Sequence, residues 1–230
     1  MRRKFIIAAI ALGALVLSWV VINGLTGSRL TRVFNEIYTE GRWGKDASDR
    51  GTSGAGSTVE ITREYRAWIE DFIKKNSVTS VVDAGCGDWA FSSRIDWQGA
   101  RYLGIDISTV VIERVKKKHE SRTVKFQMGD ITEDLPAADL LICKDVLQHL
   151  PNELVQKFIR NNLKKGKYKW AVITNDRLAQ GPHSDALIGG YRKIDLSKPP
   201  FDVKGLSVIP VCFGADSDKT AELLDFSKLP

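Results

Sequence analysis

Four acidic residues follow four short apolar segments of the chain, and their side chains could bind one ligand together. They are Asp83, Asp106, Asp130 and Asp145. A carboxylate accepts hydrogen bonds from hydroxyl groups and attracts cations. If the apolar segments are parallel strands, all four acids lie at the carboxyl edge of one sheet, where open α/β sheets bind ligands. One such acid can simply cap the helix that follows it, whereas four in register indicate a shared ligand.

A glycine turn follows the first of these acids, within the sequence SVVDAGCGDWAFSS. Gly85 and Gly87 permit turn dihedrals that other residues avoid, and with Cys86 between them they let a ligand approach the backbone closely. With Ala90 they also satisfy the relaxed dinucleotide fingerprint, so a nicotinamide-dependent oxidoreductase is one alternative. However, the charge of Asp83 would repel a pyrophosphate and attract a cation by about 4 kcal/mol at an effective dielectric near 20. A ligand with sulfonium and ammonium groups suits this turn better.

The second and third acids are placed to recognise a nucleoside. Asp106 follows Gly87 at close to the roughly 20 residues expected for an acid that binds ribose hydroxyls. Asp130 and the backbone of Ile131 could read an adenine edge, and Ile107 could pack on the ring. These residues predict an adenosyl-binding crevice.

Two further segments contain residues that could activate or bind a second substrate. Asp145 and His149 would lie one turn apart on a helix, so either could be the general base for a hydroxyl acceptor; a purely structural histidine is the alternative. Arg192 and Asp195, in GGYRKIDL, predict a substrate-binding loop, with a structural turn as the competing interpretation.

The pattern of elements predicts the scaffold that positions these residues. Strands are expected at residues 78–83, 101–106, 124–128, 138–144 and 169–174, with helices at 58–75, 91–95, 109–119 and 151–163. Two further strands, at 206–213 and 221–226, are separated by a short polar connection and predict a terminal antiparallel pair. Alternating strands and helices predict an α/β fold with a seven-stranded, mostly parallel sheet.

The first 57 residues have a different composition. Residues 1–4 are basic, and residues 5–22 contain no charge, which predicts an N-terminal transmembrane helix or a cleaved signal segment. A single-pass membrane anchor is the preferred prediction, and the side of the membrane stays open. Residues 23–57 are polar and glycine-rich and predict either a flexible linker or a lid; Ser53, Gly54, Gly56 and Ser57 are its candidate lid residues, with Thr62 and Arg66 beyond it.

Composition sets the remaining limits. The 230 residues have a formal charge of +6 and hold room for one α/β domain with a short extension. The lysine runs are dispersed and lack interleaved aromatic residues, so no nucleic-acid partner is expected. The three cysteines, Cys86, Cys143 and Cys212, form neither a disulfide framework nor a metal spacing, and no metal is expected.

Several motifs resemble those of class I S-adenosylmethionine-dependent methyltransferases, in order and in spacing. They are VVDAGCGDW, LGIDIS, FQMGDITEDLP and ADLLICKDVLQHLP, and the resemblance extends from about Trp43 to the C-terminus. It implies a Rossmann-like fold with S-adenosyl-L-methionine as cofactor. It also implies that Asp83, Gly85 and Gly87 hold the methionine part, Asp106 the ribose, and Asp130 and Ile131 the adenine. Lys144 and Asp145 would border the transferred methyl group.

The sequence thus predicts a methyltransferase domain at residues 58–230 that methylates an oxygen of a small-molecule or glycan-like acceptor. The oxidoreductase and a non-catalytic cofactor-binding scaffold stay as alternatives. The acceptor and the oligomeric state cannot be read from the residues.

Overall fold

The computed structural model describes residues 29–176, 184–214 and 219–229. A helix, α1, covers residues 29–40. It is followed by α2 (Arg63–Lys75), β1 (Ser80–Ala84), β2 (Arg101–Asp106), α3 (Thr109–His119), β3 (Val124–Met128), β4 (Leu140–Cys143), α4 (Asn152–Asn162), β5 (Trp170–Asp176), β6 (Leu206–Ile209) and β7 (Lys219–Asp225). Short 3₁₀ turns at Ala55–Ser57, Ser92–Arg94, Leu147–His149 and Phe226–Lys228 complete these elements.

The seven strands form one sheet in the order β3-β2-β1-β4-β5-β7-β6. The first five strands are parallel, and β7 runs antiparallel to both β5 and β6. The α/β class, the mostly parallel sheet and the terminal antiparallel pair are therefore confirmed. The order reverses beside β1, which places a ligand crevice at the carboxyl ends of β1, β2 and β4.

The core lies on both faces of this sheet. The central strand β4 is entirely apolar, and Leu140, Leu141, Ile142 and Cys143 are each at most 2% exposed, as expected for a strand covered on both sides. One face packs under α2 and α3, and the other packs under α1 and α4. The helix α1 thus belongs to the fold and is more than a linker.

Two predicted helices are shorter in the structure. The predicted helix at 91–95 is a single 3₁₀ turn, Ser92–Arg94. Trp89 and Trp97 on either side both pack on Tyr102 of β2, at ring distances of 5.5 and 4.6 Å, so the chain returns to the sheet too soon for a longer helix. The predicted helix at 58–75 begins only at Arg63, because the segment before it forms turns closed by the Thr62 hydroxyl on the Thr58 carbonyl.

The predicted N-terminal transmembrane helix and the single-pass membrane localisation are corrected. Across residues 29–176, 184–214 and 219–229, no helix has both the length and the apolar character needed to cross a membrane. The segment on which that prediction rested, residues 5–22, lies outside the described residues.

Candidate cofactor and acceptor site

One cavity lies at the carboxyl edge of the sheet and contains about 810 Å³ of empty space, part of it open to solvent. Its lining comes from α1, the segment before α2, and the loops after β1, β2, β3 and β4. The lining residues are Leu30, Phe34, Tyr38, Trp43, Ser53, Ser57, Asp83, Gly85, Cys86, Gly87, Asp88, Phe91, Asp106, Ile107, Asp130, Ile131, Lys144, Asp145, Val146, His149 and Leu150. All of the predicted cofactor-binding residues are among them, so the structure brings together groups that are up to 61 positions apart in the sequence.

The glycine turn after β1 has the close contacts that its sequence predicts. Gly85 has φ 85° and Gly87 has φ 55°, both in the left-handed region that favours glycine. A Cβ at Gly85 would lie 2.4 Å from Val146 Cγ2, so the turn also needs glycine to pack against the loop after β4. The amide of Gly87 donates to Asp106 Oδ2 at 3.0 Å, which joins the turn to the end of β2.

Two buried acids, Asp83 and Asp106, face this cavity. Asp83 is 3% exposed and accepts a hydrogen bond from the Tyr102 hydroxyl at 2.5 Å. Burial raises its pKa to about 7, against the opposing effect of that hydrogen bond. Burial also raises the pKa of Asp106 to about 6, although backbone amides, including that of Ser108, donate to it. Burial removes both carboxylates from water, and their hydrogen bonds within the protein do not fully replace the lost hydration. A ligand that brings a positive charge and hydroxyl groups would stabilise their ionised forms.

A roof formed by residues 29–57 covers the cavity. Ser53 and Ser57 of this roof line the cavity, and Tyr38 of α1 hydrogen-bonds Ser53 Oγ through its hydroxyl at 3.0 Å. Asn35 fixes α1 to the start of α3, since its Oδ1 accepts from Ser108 Oγ at 2.8 Å. The roof is thus attached at both the methionine end and the nucleoside end of the predicted cofactor site.

Two candidate lid residues of the sequence analysis lie elsewhere. The Thr62 hydroxyl donates to the Thr58 carbonyl in the turns before α2, and Arg66 Nη2 donates to the Val59 carbonyl at 3.1 Å. Neither lines the cavity, so their contacts are those of structural residues. Gly56 does take part, because Lys144 Nζ donates to its carbonyl at 2.8 Å.

A cluster of charges lies after β4. Asp145 pairs with Lys144 and, at 2.5 Å, with Lys219 Nζ of β7. The two ammonium groups hold the pKa of Asp145 at about 2, although burial acts in the opposite direction. Lys144 also lies over the ring of Phe91, 5.1 Å from its centroid. Asp145 is therefore ionised throughout the neutral range and is a weak base.

His149 lines the cavity, but it lies in a 3₁₀ turn and not on the helix that was predicted to carry it together with Asp145. Asp145 precedes the 3₁₀ turn Leu147–His149 and has φ 57°, so these two side chains share the cavity without sharing a helix. The Nδ1 atom of His149 is 2.6 Å from the Gly190 carbonyl oxygen, and the imidazole packs against Trp43 at a tilt of 34°, with ring centroids 4.7 Å apart. Burial lowers its pKa, so the ring is neutral near pH 7.

The structure does not bring the two predicted substrate-binding residues to the cavity wall. Arg192 is 7% exposed and donates to Asn152 Oδ1, to the Ser184 carbonyl and to the Leu150 carbonyl. Asp195 is 1% exposed and accepts from Ser197 and Asn175. Their contacts match the structural alternative, and a substrate-binding role for them stays an untested prediction.

Sequence reasoning missed several residues of this site. Tyr38, Asp88 and Lys219 are not among the residues that the sequence analysis predicts for the site. The amphipathic spacing in residues 30–37 was the available signal for α1. Nothing in the sequence signals Lys219, because its contact with Asp145 depends on the antiparallel register of β7. No cluster of three or more metal-ligating side chains occurs within the described part of the chain.

Comparisons with known proteins agree with this geometry. Residues 75–181 match the family model described as a methyltransferase domain. Over 86 residues the chain is 31% identical to a ubiquinone biosynthesis O-methyltransferase of Coxiella burnetii (strain Dugway 5J108-111). That match covers 35% of this chain and 36% of the relative, so the chain matches about a third of the relative's length.

Two solved structures have the same fold. Magnesium protoporphyrin IX methyltransferase from Synechocystis PCC 6803, with bound S-adenosylmethionine, is 16% identical with a TM-score of 0.53, over 85% of this chain and 94% of that chain. Human N-acetylserotonin methyltransferase, in complex with S-adenosylmethionine, is 17% identical with a TM-score of 0.52, over 73% of this chain and 53% of that chain.

The fold, the glycine turn and the strand-end acids thus define a class I methyltransferase domain. Residues 75–181, a little under half of the chain, match a methyltransferase domain, and this match together with the shared fold supports S-adenosylmethionine as the cofactor of this site. The family resemblance seen in the sequence is confirmed. The oxidoreductase alternative gains no support from these matches.

Proposed function

We propose that this chain transfers a methyl group from S-adenosylmethionine to a hydroxyl oxygen of a small, planar, largely apolar acceptor, with His149 as the general base. The observation that carries this proposal is the contact of His149 Nδ1 with the Gly190 carbonyl. It leaves Nε2, which lies 3.4 Å from the side-chain amide nitrogen of Gln148, as the basic atom of a neutral imidazole. The charge of Asp145 in the same cavity is already paired with Lys144 and Lys219.

The residues that would hold the cofactor are those already in the cavity. Asp83 and the glycine turn would take the methionine part, Asp106 the ribose hydroxyls, and Ile107 with Asp130 the adenine. S-adenosylmethionine supplies an electrophilic methyl group on a positively charged sulfur. The buried carboxylate of Asp83 favours binding of that cationic form.

The base is assigned to His149 in preference to Asp145. A general base works best when its pKa lies near the operating pH. Asp145 has a pKa of about 2 because Lys144 and Lys219 stabilise its charge, so it cannot hold a proton near pH 7. His149 is neutral there, and its Nε2 can accept the hydroxyl proton as the oxygen attacks.

The walls of the cavity favour a planar aromatic acceptor. Trp43 packs against His149, Phe34 packs against Trp43 with 6.0 Å between ring centroids, and both line the cavity together with Leu150. The two lysines near it are paired with Asp145, so neither is available to bind an anionic group. A phenolic hydroxyl has a pKa near 10, as in tyrosine, and loses its proton to histidine more readily than an alkyl alcohol does. The Coxiella burnetii relative is an O-methyltransferase, which supports oxygen as the acceptor atom. A glycan would find few polar partners here.

The proposal is tested by a turnover assay with matched acceptors. We expect S-adenosylhomocysteine to form, as measured by mass spectrometry, with a substituted catechol and not with a cyclohexanediol of the same size. His149→Gln should lower kcat by about 10²–10⁴-fold, the usual contribution of a general base. Calorimetry should give an unchanged cofactor Kd for this variant.

Three results would count against parts of this proposal. Wild-type kcat across pH 6–9 in His149→Gln would remove the base role. Turnover of the cyclohexanediol in preference to the catechol would remove the aromatic acceptor. Tight binding of S-adenosylmethionine without turnover of any hydroxyl compound would favour the non-catalytic scaffold.

A further inference from the structure

A short segment, residues 184–192, lies against the residues that carry His149. The amide of Gly189 donates to the His149 carbonyl at 2.9 Å, and the amide of Arg192 donates to the Gln148 carbonyl at 3.3 Å. Asp185 of this segment accepts from the backbone amide of Asn152, the first residue of α4, at 2.7 Å. The segment is therefore fixed to the turn that carries the imidazole and to the start of α4.

Arg192 makes most of the side-chain contacts that hold this segment. Its NH1 donates to Asn152 Oδ1 at 2.5 Å and to the Ser184 carbonyl at 2.7 Å, and its NH2 donates to the Leu150 carbonyl at 2.9 Å. The planar guanidinium reaches these acceptors because its donors form a rigid fork. A lysine has one ammonium nitrogen and cannot reach all three at once.

The held segment presents the Gly190 carbonyl to the imidazole. This oxygen lies 2.6 Å from His149 Nδ1. A carbonyl oxygen only accepts hydrogen bonds, so Nδ1 must carry the proton, and the neutral ring then has its lone pair on Nε2. On the other side Trp43 packs against the ring, which limits its rotation. The Gln148 side-chain amide also approaches the ring, with its nitrogen 3.4 Å from His149 Nε2. The Gly190 carbonyl, 2.6 Å from Nδ1, is the nearer of the two groups that favour this tautomer.

We propose that Arg192 is a positioning residue that, by fixing residues 184–192, holds the Gly190 carbonyl against His149 Nδ1 and thereby selects the tautomer with a basic Nε2. The effect on catalysis rests on the proposed function, in which Nε2 takes the proton of the acceptor. The effect on the tautomer does not depend on it.

The test is a ¹⁵N spectrum of the histidine rings in the full chain, with and without the substitution Arg192→Lys. The chain has three histidines, so His149→Gln identifies the signal of His149 by its disappearance. We expect the wild type to show protonated Nδ1 and unprotonated Nε2, and Arg192→Lys to show a mixture of the two tautomers. Arg160→Lys, on the exposed side of α4, is the matched control and should leave the signal unchanged.

Kinetics give a second measurement. Arg192→Lys should lower kcat by about 10- to 100-fold through misplacement of the base, with an unchanged cofactor Kd. If Arg192→Lys does not fold, as judged by circular dichroism, Asn152→Ala removes one of the same contacts and should shift the tautomer in the same direction. A single, unchanged His149 tautomer in a folded Arg192→Lys or Asn152→Ala variant overturns the proposal.

The two proposals fail in different ways. A changed tautomer in Arg192→Lys together with normal turnover of His149→Gln would keep the positioning role and reject the base role. An unchanged tautomer in Arg192→Lys together with an inactive His149→Gln would keep the base role and reject the positioning role.

Discussion

Ser53 and Asp88 exchange a pair of hydrogen bonds that close the cavity above the glycine turn. The amide of Ser53 donates to Asp88 Oδ2 at 2.9 Å, and the amide of Asp88 donates to Ser53 Oγ at 2.8 Å. The first residue belongs to the roof and the second to the turn after β1. A Cβ at Gly87 would lie 2.3 Å from Ser53 Oγ, so this contact leaves no space between the two segments.

The first prediction concerns this closure. Ser53→Ala removes the acceptor of the Asp88 amide and the partner of the Tyr38 hydroxyl, so the roof should loosen. At about 0.5–1.5 kcal/mol for each lost hydrogen bond, the Kd for S-adenosylmethionine should rise by roughly 5- to 100-fold in calorimetry. Ser48→Ala is the control, since this serine is exposed in the same roof. Equal affinities of the two variants would show that the closure does not contribute to binding.

The second prediction concerns the ribose contact. Asp106→Ala removes the acceptor of the Gly87 amide and the proposed acceptor of the ribose hydroxyls. The loss of a charged hydrogen-bonding group of this kind should weaken cofactor binding by at least about 10-fold. Equilibrium dialysis with labelled cofactor measures the change. Asp96→Ala, at an exposed position before β2, should bind as tightly as the wild type; the same loss there would point to general destabilisation.

The third prediction concerns pH and stability. The folded pKa of Asp83, about 7, is raised above the usual value near 3.9 of an unfolded chain. The folded state therefore binds the extra proton, so this contribution to stability is fully present below about pH 4 and is lost as pH rises through 7. Asp83→Asn, which cannot ionise, should increase the free energy of unfolding at pH 8 by about 1–3 kcal/mol and change it little at pH 4.5.

Urea unfolding without ligand at both pH values measures this effect. The same substitution should weaken binding of the cationic cofactor, so stability and affinity should change in opposite directions. A loss of stability at pH 8 in Asp83→Asn would mean that the hydrogen bond from Tyr102 outweighs the burial of charge.

The fourth prediction concerns the charge cluster after β4. Lys219→Met leaves Asp145 with one ammonium partner, and breaking a buried pair is costly because the remaining charge is uncompensated. We expect a loss of about 1–3 kcal/mol in the free energy of unfolding at pH 7. The pKa of Asp145 should rise, so less of its stabilisation should be lost on acidification. Lys204→Met should cost almost nothing, because the Lys204 side chain is 78% exposed in its pair with Asp202.

The sequence predicted the parts of the fold that are set by local pattern. The bounds of β2, α3 and β3 match their prediction, because each has a continuous periodicity and is ended by a polar or glycine residue. The four strand-end acids were placed at one edge for the same reason. The short turn after Phe91 was missed because two tryptophans return to Tyr102, which is a contact between elements.

Only the part of the site formed by the loops after the strands could be predicted from the sequence. Motifs identified the cofactor residues, whereas the roof carries weak signals, since an amphipathic helix of twelve residues does not show where it will pack. Asp145 and His149 were predicted together on the assumption of a helix that the structure lacks. Both line the cavity because φ 57° at Asp145 turns the chain. A backbone conformation of this kind cannot be read from residue types.

The cavity draws its walls from Leu30 to Leu150, and Asp145 adds a link to Lys219 near the end of the chain. Because the walls come from segments as far apart in the chain as Leu30 and Leu150, a partly folded chain lacks the binding site. Cofactor binding is therefore coupled to folding of the complete domain, and bound cofactor increases the free energy of unfolding. At a free concentration of 100 times its Kd, it would add about 2.7 kcal/mol to the stability of the folded chain.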